Sequence, residues 1–362
     1  MIVGQSVPSQ SREARPGGAK CALTLMSDGH TNRTVKSDAT GPALAPATDS
    51  ASRDASWTAA LPDDFRLLLR DAVDLHVHGQ PDVSRRFASR GADIEVARLA
   101  HAYGLRGWVL KSHLWPTMDR AGMIRDALTD IDFDVYGSIT LNPPAGGVSA
   151  TVVELAASHE AKVIFLPTWG NAADVDRGGY IPDRLTLVAP SFPAYAASHA
   201  IALTDGNGAL TGAVRDVLDA CRALDLSVAT GHAALAESRA VAEYCAGIGA
   251  RVLITHPLHY VDKPGQLAEF TALGAFVEFC NAPLLHPDGH HTIRDVYAGL
   301  EQVGPDQAVL TTDIFSRWVP PEPECLRMFA EQLSYLGAPA QDLRRMLAVN
   351  PRRFLGQPEA AQ

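Results

Sequence analysis

The stretch "VDLHVHGQPD" (residues 73–82) sets His76 and His78 one residue apart at the end of a short apolar run. On an extended chain both imidazoles lie on one face, because successive side chains alternate across a strand. Neutral imidazole with a carboxylate is a ligand set for Zn2+, and also for Fe2+, Mn2+ or Ni2+. A chain with 13 histidines among 362 residues can place two so close by chance. The metal reading therefore depends on partners elsewhere. Donor side chains do end other apolar runs: Lys111 and His113 close "GWVLKSH", His232 closes "LSVATGH", and His256 closes "RVLITH". Glu278 lies in "AFVEFC" and Asp313 closes "AVLTTD".

These runs belong to a repeating pattern. From Leu61 onward, β-branched stretches near residues 73–78, 107–113, 135–142, 162–168, 226–232, 251–256, 275–280 and 308–313 alternate with helical patterns such as "GADIEVARLAHAYG" and "GAVRDVLDACRALD". Short strands alternating with longer helices imply βαβ units and a parallel sheet. Eight units predict an α/β protein, a (β/α)8 TIM barrel, which needs about 250 residues. An open doubly wound sheet is the competing arrangement, but no glycine-rich phosphate loop follows the first run. Barrel active sites lie at the C-terminal ends of the strands, where the donors fall.

The barrel domain is expected over residues 58–362, with a lid-like insertion at 169–212 after strand 4. Within it, "TDGNGAL" reads as a tight hairpin turn flanked by short strands, and Trp169, Tyr180 and Trp318 are candidate pocket walls. Residues 1–57 are rich in Ser, Ala, Gly, Pro, Thr and Asp, with no aromatic residue before Trp57. They read as a disordered extension without the apolar core of a secretory signal.

A net charge of −10 argues against a nucleic-acid partner. No apolar run approaches the roughly 18 residues that cross a bilayer, so no membrane partner is expected. Five scattered cysteines without CxxC spacing point to a reducing, cytoplasmic setting. No stripe specifies an interface, which leaves room for a homo-oligomer.

The constellation resembles the amidohydrolase superfamily: HxH on strand 1, His on strands 5 and 6, and Asp on strand 8. The resemblance covers roughly residues 65–356, including the closing "AVNPRRFLG". It implies that His76, His78 and Asp313 hold one divalent metal, most simply Zn2+. It also implies that His232 and His256 hold a second or that one of them assists catalysis. Binuclear branches usually bridge their metals from strand 4, yet "AKVIFLPT" offers no such ligand. Lys111 is the substitute, carboxylated and bridging, or else an ordinary ammonium that contacts substrate or Glu278. The implied activity is hydrolysis of an amide, lactone or other ester of a small molecule. Metal-activated water would attack, Asp313 would serve as general base and acid, and Lys111 and His256 are further catalytic candidates. A mononuclear deaminase or decarboxylase is the alternative on the same scaffold, and a non-catalytic ligand-binding barrel is the remaining one. His113, Glu278, Asp82, Arg86 and His259 are expected to contact substrate or support the ligands. "HPDGHH" (residues 286–291) reads as a surface loop.

Overall fold

The expected runs fold as eight parallel strands in a computed structural model that describes residues 66–85, 91–261, 265–316 and 318–358. They are β1 (Val73–His78), β2 (Gly107–Lys111), β3 (Asp134–Thr140), β4 (Ala161–Phe165), β5 (Ser227–Ala229), β6 (Val252–Ile254), β7 (Phe276–Cys280) and β8 (Ala308–Thr311). They pair in chain order from β1 to β8, and helices fill the intervals, as in a (β/α)8 barrel. The 1–57 segment and Arg86 lie outside the described residues. Among the described residues no helix is long and apolar enough to cross a membrane.

Alternation along the strands divides the core into two layers. Val73, Leu75, Val109, Val163, Phe165, Ala229, Leu253, Phe276 and Val309 form one cluster, which Phe354 and Leu355 of the closing "NPRRFLG" join. Val77, Leu110, Ile164, Val228, Ile254, Val277 and Leu310 pack in a second cluster with residues of the surrounding helices. Each such side chain contributes about 1.5–3 kcal/mol when fully buried. Leu75 and Val77 fall in different clusters, although they are two residues apart. The register slips between Asp74 and Val77, so the parity of β1 changes there and both His76 and His78 turn inward.

The barrel closes through the donors themselves. Among the described residues no ladder pair joins β8 to β1. Instead the Asp313 N–H donates to the His76 carbonyl at 3.0 Å. The Asp74 carboxylate accepts from His76 N (3.0 Å), Thr312 N (3.3 Å) and Thr312 Oγ1 (2.6 Å).

Most strands end sooner than the sequence runs suggest. His113, His232, His256 and Asp313 stand just beyond the ladders, on the first loop residues. His256 and Asp313 have φ of +27° and +53°, backbone that a strand cannot continue through. Before His232, a Cβ on Gly231 would lie 2.3 Å from the Leu166 carbonyl oxygen, and φ there is +64°. Only glycine fits that turn.

The insertion after β4 is helical rather than an open loop. Helices Ala172–Arg177, Tyr180–Val188 and Phe192–Ser198 pack around Trp169, Ile181, Leu185, Phe192 and Ala196. The "TDGNGAL" hairpin reduces to one antiparallel bridge, Thr204 to Leu210, without flanking strands. The Asp205 side chain accepts from Asn207 N and Ala209 N, which closes the turn locally and leaves little chain to pair.

Candidate metal centre

β1 and β8 bring His76, His78 and Asp313 together, with one ligand atom from each lying within 4.8 Å of the others. Asp313 Oδ1 is 2.9 Å from both His76 Nε2 and His78 Nε2. The outer nitrogens are also fixed. His76 Nδ1 lies 2.9 Å from Glu278 Oε1, which accepts from Thr311 Oγ1 at 2.8 Å. Burial pulls the His76 pKa down, but Asp313 and Glu278 outweigh it against Lys111 and bring it to about 9. Burial likewise opposes charge on Asp313, yet His76 and His78 hold it well below the usual carboxylate range.

Lys111 is buried, with Nζ 2.8 Å from His76 Nε2 and 5.1 Å from the Phe165 ring centre. Burial pushes its pKa down, against the pull of Asp313 and Glu278. Phe165 takes the inward position on β4, next to the site and 5.6 Å from the His76 ring. Strand 4 therefore presents an aromatic ring, and Lys111 reaches across it.

The β5 and β6 histidines are held differently. His232 Nδ1 lies 2.8 Å from Asp174 Oδ2, and Asp174 comes from the insertion. The His256 N–H donates to Glu278 Oε2 at 3.0 Å, while its buried Nδ1 has no partner among the described residues. The two rings are 5.1 Å apart, and His256 is 6.0 Å from His76. Neither residue joins the tight His76–His78–Asp313 group. A buried imidazole nitrogen with no protein partner, beside a converging set of imidazole and carboxylate donors, fits a divalent metal.

Asp82, expected to contact substrate or support the ligands, has a buried side chain that holds His78 and His113. It accepts from Ser112 Oγ (2.7 Å) and the His113 N–H (2.9 Å), and its other oxygen lies 3.0 Å from His78 Nδ1 and contacts His113 Nδ1. Burial would raise its pKa, but His113 and His78 outweigh it and hold the carboxyl well below the usual range. His113 stacks on His78 with ring centres 4.4 Å apart, and burial brings its own pKa down to about 3. Its carbonyl accepts from Trp169 Nε1 at 2.7 Å. Trp169 is thus packed behind the site rather than in the wall.

A cavity of about 540 Å³ opens above these residues, within the usual range for small-molecule sites. His113, His232, His256, His259 and Asp313 line it, as do Tyr180 and Trp318. His286, His290 and His291, read from the sequence as a surface loop, also line it. The loop folds back, and His291 lies 5.9 Å from the His259 ring. Three participants carried no signal in the sequence: Asp174, Arg177 and Asp74. Cys280 did, since it shares the inward parity of Phe276 and Glu278; its Sγ lies 3.9 Å from Asp313 Oδ2.

No curated protein matches the chain in sequence. Two solved structures of similar fold are a probable dipeptidase, PvdM, from Pseudomonas aeruginosa and a double mutant of an organophosphorus hydrolase from Deinococcus radiodurans. The first has a TM-score of 0.54 and 11% identity, covering 83% of this chain and 98% of that one. The second has a TM-score of 0.52 and 15% identity, covering 79% and 92%. These likenesses bear on the fold, and the barrel expected from the resemblance to the amidohydrolase superfamily is the one observed. A profile of a family of unknown function, DUF6282, matches residues 71–278, from just before β1 to Glu278. The match spans more than half of the sequence, and the chain belongs to that family.

Proposed function

We propose that the chain is a metal-dependent hydrolase that cleaves an amide, lactone or other ester bond of a small molecule. The observation that carries this reading is the convergence of His76, His78 and Asp313 within 4.8 Å below a cavity of about 540 Å³. His76, His78 and Asp313 would hold one divalent metal, with Zn2+ the best match to imidazole and carboxylate donors. His232 and His256 would hold a second, with Lys111 as the bridge once carboxylated. A metal bound there lowers the pKa of water toward about 7.

The chain's own groups supply the proton traffic. Asp313 Oδ1 is shared by the two imidazoles, whereas the hydrogen-bond partner of Oδ2 among the described residues is the Cys280 thiol at 3.9 Å. Oδ2 is therefore the oxygen that takes a proton from the attacking water and returns it to the leaving group. Glu278 keeps His76 oriented and fixes the backbone of His256. If Lys111 is not carboxylated, its ammonium would instead stabilise a developing oxyanion.

The second reading is a mononuclear deaminase or decarboxylase. It is favoured by Phe165 in the inward place of β4 and by the separation of His232 and His256 from the tight ligand group. Elemental mass spectrometry on protein purified without a histidine tag separates the two. Two equivalents per chain support the bridged hydrolase and a screen of amides and lactones. One equivalent moves the mononuclear chemistries ahead, and none after reconstitution overturns both.

A further inference from the structure

The walls of the cavity differ in chemistry from one side to the other. One side is aromatic and centres on Tyr180, whose ring lies 4.9 Å from His286, 5.4 Å from Phe315 and 6.1 Å from Trp318. Phe315 continues this surface down to the metal centre, 5.1 Å from the His78 ring and 5.5 Å from His113. At the other end Trp318 is 47% exposed. A tryptophan left open at the mouth of a cavity is apolar surface that a flat ligand would cover.

Arg177, which ends the first insertion helix, also lines the cavity. Its Nη2 donates to Asp174 Oδ1 and to the His232 carbonyl, both at 2.9 Å, and its guanidinium lies 4.2 Å from the Tyr260 ring centre. Nε and Nη1 have no acceptor among the described residues. Among those residues it is also the one arginine or lysine on the wall. Of the nearby acids, Asp174 already shares the Arg177 charge through its Oδ1 and holds His232 with Oδ2, Asp313 faces the imidazoles, and Asp183 and Asp288 are exposed. A guanidinium held by two acceptors and a ring loses little freedom on binding, and with Nη2 occupied its Nε–H and Nη1–H remain as separate single donors, either of which suits one oxygen of a carboxylate.

We infer that the cavity takes a flat ring bearing a carboxylate, with the ring against Tyr180, Phe315 and Trp318 and the carboxylate on Arg177. This deepens the hydrolase reading and rests on it for the reaction, whereas the binding itself rests on the two walls. Because Arg177 is anchored on the His232 carbonyl, the carboxylate is held on the β5 side of the cavity, where the guanidinium is still open to solvent.

Calorimetric titration of the metal-replete full chain with benzoate, benzamide, acetate and cyclohexanecarboxylate tests this, with Trp318 fluorescence as a second signal. Benzoate should bind about tenfold or more tighter than the other three, the scale of one charge-assisted hydrogen bond or one aromatic contact. R177Q should lower benzoate affinity about tenfold and leave benzamide unchanged, with R177K intermediate because lysine keeps the charge but lacks the planar group that holds Asp174 and the His232 carbonyl while donating to a ligand. W318L should bring benzoate toward acetate. Metal content is measured on R177Q, since Arg177 also holds Asp174; if that variant loses metal, the wild-type ligand ratios and W318L decide.

Equal affinity for benzoate and acetate, unaffected by R177Q, would mean plain metal ligation by any carboxylate and would overturn the inference. No binding of any probe would overturn it too. Arg177-dependent benzoate binding without turnover of any amide or ester sinks the hydrolase reading and leaves this one standing. Turnover of neutral esters without benzoate preference does the reverse.

Discussion

The two sides of the barrel mouth are built to different standards. On the β1, β7 and β8 side, the ring nitrogens of His76 and His78 and the carboxylates of Glu278 and Asp313 all have partners from barrel strands or their first loop residues. On the β5 and β6 side, His232 is oriented by Asp174 from the insertion, and His256 Nδ1 has no partner among the described residues. The reason is geometric. The β8–β1 seam has no ladder, so side chains close it and are locked by the same bonds. At β5 and β6 the ladder does that work, and the histidines beyond it depend on whatever packs above. The first side is therefore a preorganised ligand set, and the second is completed by the insertion. Two metals bound here should differ in affinity, the tighter on the β1–β8 side.

The largest effect falls on the preorganised side. On the proposed hydrolase reading, Asp313→Asn would remove both a ligand charge and the proton carrier, so turnover should drop about a thousandfold and the tighter metal equivalent should disappear. Steady-state kinetics with elemental analysis check this, and a variant that keeps both would erase the distinction between the two sides. Next is the seam. Asp74→Ala strands the buried His76 N–H, the Thr312 N–H and the Thr312 hydroxyl, at a cost on the order of 3 kcal/mol. Urea denaturation should show that loss, whereas Leu187→Ala, on an exposed insertion side chain, should shift the midpoint hardly at all. A third change touches both sides at once, because Glu278 reaches His76 Nδ1 and the His256 N–H. Glu278→Gln should weaken both zinc equivalents by about 10- to 100-fold in calorimetric titration. Loss at only one would mean that Glu278 serves one histidine alone.

The same contrast explains what could be read from the sequence. The eight strands, their order and the donors at their ends are visible because apolar runs of period two mark each strand, and function sits where they end. The inward parity of Phe276, Glu278 and Cys280 followed from the same rule. The parity change in β1 was hidden, since a register slip leaves no mark on the residue types around Leu75 and His76. The helices of the insertion, unlike its position, were hidden for another reason. Gly178, Gly179, Pro182 and Pro193 interrupt it, and its helices of 6, 9 and 7 residues are too short to develop a clear apolar stripe. Asp174 lies 58 residues before His232 in the chain, and nothing in either local pattern connects them. For Asp82 the sequence left substrate contact, ligand support and a turn after proline open, because local residue types do not show where a loop side chain points; here it is shared by two imidazoles.

The smallest effect should also be the most selective. Asp174 accepts from His232 on one oxygen and from Arg177 on the other. Burial favours its neutral form, but His232 and Arg177 together keep it ionised. Asp174→Asn retains the shape and removes the charge that orients the His232 ring. Zinc titration should then show the weaker equivalent reduced about tenfold, with the tighter one unchanged because no bond of His76, His78 or Asp313 passes through Asp174. Equal loss at both equivalents would mean that the two sides act as one rigid site. No loss at either would mean that the insertion packs over His232 without governing it.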